Sequence, residues 1–346
     1  MRLLCCLNLK YLPLSRKIKL FSNYVLGPLL FVFITYSIYR QVKSQPEFAD
    51  HWQAIKEGAT GPALWWLGAA MMLMPANWGI EALKWQKLLN HIGSVKYSTS
   101  LRSVMTGVAF TMLTPNRLGE FLGRVLYLPD GSRIRSATLT MLSSLSQLII
   151  TFVAGLIGLV AMAWQVGAPA LQQAGFSSLL MYGLGYGTAI CIVAALLFYF
   201  EIGWLIRLLE KVPPISKYAF FIHQIGEIGH LELLKILGLS VLRYLVFLAQ
   251  YLLLFHFFQV DINFVTAIWG TAVMFLMLAI IPTVSLAELG IRGQVSLFVF
   301  SLFTANKLGI VATAAGMWGI NIILPAAAGS LLLLRVKLFS KTDNAA

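Results

Sequence analysis

Apolar runs recur along this chain, and several reach the ~20 residues that an α-helix needs to cross the hydrocarbon of a bilayer. They fall at 24–39, 62–80, 104–128, 137–164, 177–200, 237–258, 264–303 and 309–334. Hydrocarbon offers no water to an open backbone, so such runs fold as helices. Only 11% of the residues are charged and 59% are hydrophobic, whereas a soluble domain carries about 25% charged residues. The mean hydropathy is +0.80. The chain therefore reads as an all-α polytopic membrane protein, a single integral membrane domain over residues 1–346. The longest stretch between runs, about 201–235, is shorter than the ~50 residues a soluble domain needs.

Two of the runs are broken at a proline. The first break reads Thr114-Pro115-Asn116-Arg117-Leu118-Gly119-Glu120, with Arg124 following. The second reads Ile281-Pro282-Thr283-Val284-Ser285-Leu286-Ala287-Glu288, with Arg292 following. Each glutamate stands four residues before its arginine, so each pair shares one helix face. Proline removes a backbone donor and crowds the preceding turn. A helix that restarts there points its amide groups, and a partial positive charge, into the break. Ionisable groups at bilayer depth are costly and mark candidate sites.

Charge decides between full crossings and hairpins. The net charge of +13 is used here for topology and does not argue for nucleic acid. If both broken runs return to the face they entered, with the N-terminus inside, 18 of the 26 Lys and Arg residues lie on cytoplasmic loops and four outside. That is the positive-inside bias. The expected architecture is six full spans plus two re-entrant helical hairpins of opposite orientation. Span, hairpin and span then occur twice, over about 62–164 and 237–334, as an inverted repeat of the kind alternating-access transporters use. Both termini lie in the cytoplasm. The basic first 23 residues lead into an uncleaved span, and Cys5, Cys6 and Cys191 imply no disulfide framework.

The candidate binding residues are Pro115, Asn116, Arg117, Glu120 and Arg124 on the first hairpin, and Pro282, Ser285, Glu288 and Arg292 on the second. Arg117 offers a planar fork of donors suited to phosphate. Glu120 would neutralise Arg124, or take a cationic headgroup or a proton. The plain alternative is that each pair is structural. The run from Asn77 to Trp85 reads as the end of a span, with Trp78 and Trp85 as interface anchors and Lys84 as a snorkelling cation. Arg243, in the 237–258 run, reads as a snorkelling cation too. His223, Glu227 and His230 share a helix face at metal-ligand spacing, but the segment reads as an amphipathic surface helix. No metal or cofactor is expected.

These residues resemble a known family. The Thr114 to Glu120 run is similar to the T-P-x-R-x-G-E signature of the lysylphosphatidylglycerol synthase transmembrane, or flippase-like, family, which includes the membrane half of multiple peptide resistance factors. Leu289-Gly290-Ile291-Arg292 is similar to its second signature, a P-G-G-L-G-x-R-E run. Glu81-Ala82-Leu83-Lys84-Trp85 is similar to a basic-x-x-basic-Trp run in an early span. The second motif departs from the pattern: Ser285-Leu286-Ala287-Glu288 stands where Ser-Pro-Gly-Gly is usual, and Gly293 where a glutamate is common. The soluble aminoacyl-transferase domain of the resistance factors is not seen. The resemblance implies a bacterial cytoplasmic-membrane protein that moves or binds an anionic or zwitterionic lipid and does not synthesise one. The competing expectations are an intramembrane headgroup-modifying enzyme, for which no catalytic residues are found, and a scaffold subunit. Membrane lipids are the expected partners, with a homo-oligomer left open.

Overall fold

The computed structural model describes residues 61–111, 118–128, 133–167, 177–201, 228–281 and 287–334, with positions 36, 53, 169, 171 and 175. Every described element is helical. In chain order they are α1 (Leu64–Leu89), α2 (Tyr97–Thr111), α3 (Leu118–Val125), α4 (Arg133–Val166), α5 (Ser178–Phe200), α6 (His230–Phe257), α7 (Phe264–Ile280), α8 (Ala287–Phe300) and α9 (Lys307–Trp318). A π turn, Gly319–Ile323, joins α9 to α10 (Leu324–Leu334). Among the described residues, four helical stretches are long and apolar enough to cross a membrane: Arg135–Val166, Ser178–Phe200, His230–Phe257 and Lys307–Leu332. The expected first span, at 24–39, lies outside the described residues apart from Tyr36.

Short polar side chains start several of these helices. The Ser177 hydroxyl accepts from the Leu180 amide at 3.2 Å. Asn263 Oδ1 accepts from Val265 N at 3.0 Å, and Asn306 Oδ1 from Gly309 N at 2.8 Å. Each satisfies an amide that has no carbonyl partner in the first turn.

The helices on either side of each break lie against each other. Ser103 Oγ donates to the Arg124 carbonyl at 2.7 Å, and Gly107 faces Gly123. Ser296 lies beside Met274, and Phe300 beside Gly270. In both pairs one number rises as the other falls, so α2 with α3, and α7 with α8, are antiparallel hairpins.

Neighbours follow an exchange pattern. α1 packs on α2 as α6 does on α7, and on α4 as α6 does on α9. α3 packs on α4 as α8 does on α9, and α4 packs on α7 as α10 does on α2. Swapping the set α1–α4 with the set α6–α10 turns each of these contacts into another, and α1 against α6 maps onto itself. α5 stands outside the pattern, packs chiefly on α4 and buries only Thr188 and Tyr199 fully.

Small residues set the tightest contacts. Gly329 of α10 lies on the Met105 carbonyl of α2. Gly155 and Gly158 of α4 lie on Leu276 and Ala272 of α7. In lipid no hydrophobic force drives helices together, so close packing at small residues does this work.

Two apolar clusters result. One gathers Trp78, Trp85, Leu88, Val104, Leu139 and Leu142 with Leu233 and Ile236. The other gathers Tyr251, Phe255, Val273, Met274, Val299 and Phe300 with Leu159 and Ile310. Among their buried members, those along α4 end at Ile149 and begin again at Leu159, and those along α6 end at Ile236 and begin again at Tyr251, with Val153, Leu237 and Phe247 partly buried in between. Polar residues fill part of these gaps.

Candidate functional site

The centre of that polar layer is Glu81 of α1, 3% exposed at its side chain. Three cations converge on it. Lys84 Nζ lies 3.0 Å from Oε2, Arg243 Nη1 of α6 lies 3.0 Å from the same oxygen, and Arg124 Nη2 of α3 lies 2.6 Å from Oε1. Ser143 of α4 donates to Oε1 at 3.3 Å. One carboxylate thus ties together four helices: α1, α3, α4 and α6. Buried charges persist only when paired in this way.

Each cation has further partners. Lys84 donates to the Ser143 carbonyl at 3.2 Å and to Ser240 Oγ at 3.4 Å. Arg124 also pairs with Glu120 one turn earlier on its own helix, and its guanidinium lies 5.1 Å from the centre of the Trp85 ring. Arg243 donates through Nε to Asn77 Oδ1 at 2.8 Å and lies over the rings of Trp78 and Phe247. Asn77 in turn donates to Asn321 Oδ1 at 2.8 Å. Asn321 donates to Gln250 Oε1 at 3.0 Å, and Gln250 to the Ala70 carbonyl at 2.9 Å. This amide chain runs across α1, the π turn and α6. Asn321 sits within the π turn, an irregularity frequent at functional positions.

A cavity of about 510 Å³ opens beside the hub. Its charged lining is Glu81, Lys84, Glu120, Arg243, Glu288 and Arg292, and its polar lining includes Thr111, Ser143, Ser144, Gln147 and Thr151. Arg292 holds Glu288 Oε1 through Nε at 3.1 Å and Nη2 at 2.7 Å. Across the network, Lys84, Arg124, Arg243 and Arg292 face Glu81, Glu120 and Glu288. Among the described residues, the charged lining of the cavity itself is balanced, three cations against three acids, and the one positive charge in excess in the network is Arg124, behind Glu120.

The structure brings together Glu120, Glu288 and Arg292 from the two separate breaks. Both acid–arginine pairs form as i, i+4 pairs. Arg124 is fully buried behind Glu120 and does not line the cavity. Pro115, Asn116, Arg117, Pro282 and Ser285 lie outside the described residues.

Three expectations are corrected. Trp78 and Trp85 are core residues and not interface anchors, because α1 does not end at Ile80 but continues to Leu89. Lys84 does not snorkel: it is 1% exposed and paired with Glu81, so it leaves the set of loop cations. Arg243 is likewise held by Glu81 and Asn77 inside the protein. Of the proposed histidine and glutamate face, His223 and Glu227 lie outside the described residues, and His230 opens α6.

Sequence comparison bears on what this site serves. A family model described as the lysylphosphatidylglycerol synthase TM region matches residues 24–329. The chain belongs to that family. The lysylphosphatidylglycerol synthase transmembrane match takes in both hairpins, the Glu81 hub and the cavity, so the site lies in the family's membrane region. Together with the apolar helices, it makes the chain a membrane protein. No curated protein and no solved structure matches the chain.

Proposed function

We propose that this member of the lysylphosphatidylglycerol synthase transmembrane family is a lipid transporter of the flippase type, which takes an anionic or zwitterionic headgroup into the cavity while the acyl chains stay in lipid. The observation that carries this reading is the single cavity lined by acids from both breaks, Glu120 and Glu288, together with Arg292, Arg243 and Lys84. Charge buried in a membrane domain marks a pathway or site more often than a scaffold. On this reading the two hairpins are re-entrant and enter from opposite faces, and the exchange pattern of the helices is an inverted repeat with six full spans. The protein sits in the cytoplasmic membrane with both termini inside. It carries out no synthesis, and a gradient or mass action drives it.

The test is lipid movement by the purified protein in liposomes holding a fluorescent phospholipid. Arg117→Lys keeps the charge and loses the planar fork, so it is expected to slow movement while the protein elutes as the parent does. Glu120→Gln keeps the shape and cannot ionise, and is expected to slow it further. Parental rates in both variants would refute the site, and no headgroup-dependent movement by the parent would refute the function.

A further inference from the structure

Two carboxylates share one nitrogen. Glu81 Oε1 from α1 and Glu120 Oε1 from α3 both contact Arg124 Nη2. The other guanidinium nitrogens, Nε and Nη1, are buried with no hydrogen-bond partner among the described residues. Two carboxylates thus serve three cations, Arg124, Lys84 and Arg243, and Arg124 is the one that touches both.

The two are not equivalent. Glu81 is also held by Lys84, Arg243 and Ser143, and is almost fully buried. Glu120 is 21% exposed at its side chain and lines the cavity. Its described side-chain partner is Arg124 alone. Of the two acids, Glu120 is therefore the one able to change partners. Were Glu120 the sole counter-ion, its departure would strand a buried guanidinium, which is strongly unfavourable. Glu81 lowers that cost, because it stays at contact distance from Arg124 on a different helix, shared with Lys84 and Arg243.

We propose that Glu81 is a positioning residue of the cavity: it keeps Arg124 neutralised from α1, so that Glu120 can release Arg124 and accept the ammonium of an incoming headgroup. This rests on the reading that the cavity takes a headgroup, and it assigns the two ends of a zwitterion. The ammonium goes to Glu120, and the phosphate goes to the positively charged remainder of the lining, where Lys84, Arg243 and Arg292 lie.

The test compares the parent with Glu81→Gln, Arg124→Gln and the double variant. Binding is measured in mild detergent for a short-chain fluorescent phosphatidylethanolamine, and for a phosphatidylglycerol of the same chains, which has no amine. In Glu81→Gln, Glu120 becomes the only counter-ion and stays on Arg124. Amine-lipid binding is expected to weaken about tenfold, the scale of one lost charge-assisted contact, while phosphatidylglycerol changes by less than about twofold. In Arg124→Gln, Glu120 has no competitor and amine-lipid binding is expected to hold or tighten. In the double variant Arg124 is gone and no longer competes for Glu120, so the loss seen in Glu81→Gln is expected to be restored.

A merely structural Glu81 gives no such recovery. The proposal is overturned if the double variant elutes as the parent and binds the amine lipid as weakly as Glu81→Gln. It is overturned equally if Arg124→Gln, eluting normally, loses amine-lipid binding, and this variant decides alone should Glu81→Gln not fold. A parent that binds both lipids alike also overturns it. A parent that binds the amine lipid but does not move it in liposomes refutes transport and leaves this inference standing.

Discussion

Gly123→Ala is expected to separate the two arms of the first hairpin and to abolish lipid movement. A Cβ at Gly123 would lie 2.4 Å from Gly107 Cα, 2.5 Å from Gly107 N and 2.7 Å from the Thr106 carbonyl carbon. All three are backbone atoms, so no side chain can rotate away, and α3 must shift as a body. Overpacking of this kind costs about 1–3 kcal/mol. The displacement matters more than the cost, because α3 carries both Glu120 and Arg124. The shift would draw Arg124 from Glu81 and move Glu120 in the cavity. The expected result is a thermal midpoint in detergent several degrees below the parent, with movement of a fluorescent lipid in liposomes near background. Parental activity in Gly123→Ala would show that the contact of the two arms does not position the site.

Arg243→Ala is expected to destabilise the protein strongly. It removes an ion pair to Glu81, the hydrogen bond to Asn77 and the stacking on Trp78 and Phe247. Breaking a buried pair by deleting one partner costs about 3–5 kcal/mol. Asn77 also loses the donor that faces its Oδ1, which loosens the amide chain to Asn321 and Gln250. Arg243→Lys keeps the charge but not the simultaneous reach to Glu81 and Asn77, and an intermediate loss is expected. Thermal unfolding of the three proteins in the same detergent checks the order parent, Lys, Ala. An alanine variant as stable as the parent would mean that Lys84 and Arg124 suffice to hold Glu81.

The acid–x3–arginine spacing makes two elements of the site legible in the sequence. Glu120 with Arg124, and Glu288 with Arg292, form the helical pairs that their four-residue spacing implies, and Glu120 and Glu288 open on one cavity. Composition is enough for helices and membrane, since few other solutions satisfy the backbone in hydrocarbon. The hub is not legible in the same way. Glu81 and Lys84 stand between two tryptophans near the end of an apolar run, and that is how an interface looks when residues are read one at a time. Depth is a tertiary property: the charges lie deep because Arg243 from α6 and Arg124 from α3 meet them there, from points 162 and 43 residues along the chain. Charges that satisfy one another do not end a helix, and α1 runs past them to Leu89. A signal is present in the partners. Ser143, Ser146 and Gln147 on α4 and Ser240 and Arg243 on α6 form polar stripes within apolar runs, and stripes facing inward need a polar counterpart on a third helix.

Salt is expected to act differently on the exposed and the buried ion pairs of this protein. The exposed pair of Lys235 and Glu232, at the start of α6, sits where a Debye length of about 8 Å at 0.15 M salt screens it. The Glu81 network is nearly buried, and the cavity beside it is the route by which a buffer ion would reach it. High salt in purification should dissolve the surface pair and leave the thermal midpoint almost unmoved. A midpoint that falls steeply between about 0.05 and 1 M salt, concentrations spanning Debye lengths of more than about 10 Å to about 3 Å, would mean that the cavity admits electrolyte as far as Glu81. A midpoint that holds would make the buried part of the network, Glu81 with Lys84, Arg124 and Arg243, a source of field in the cavity that salt on either side of the membrane does not tune.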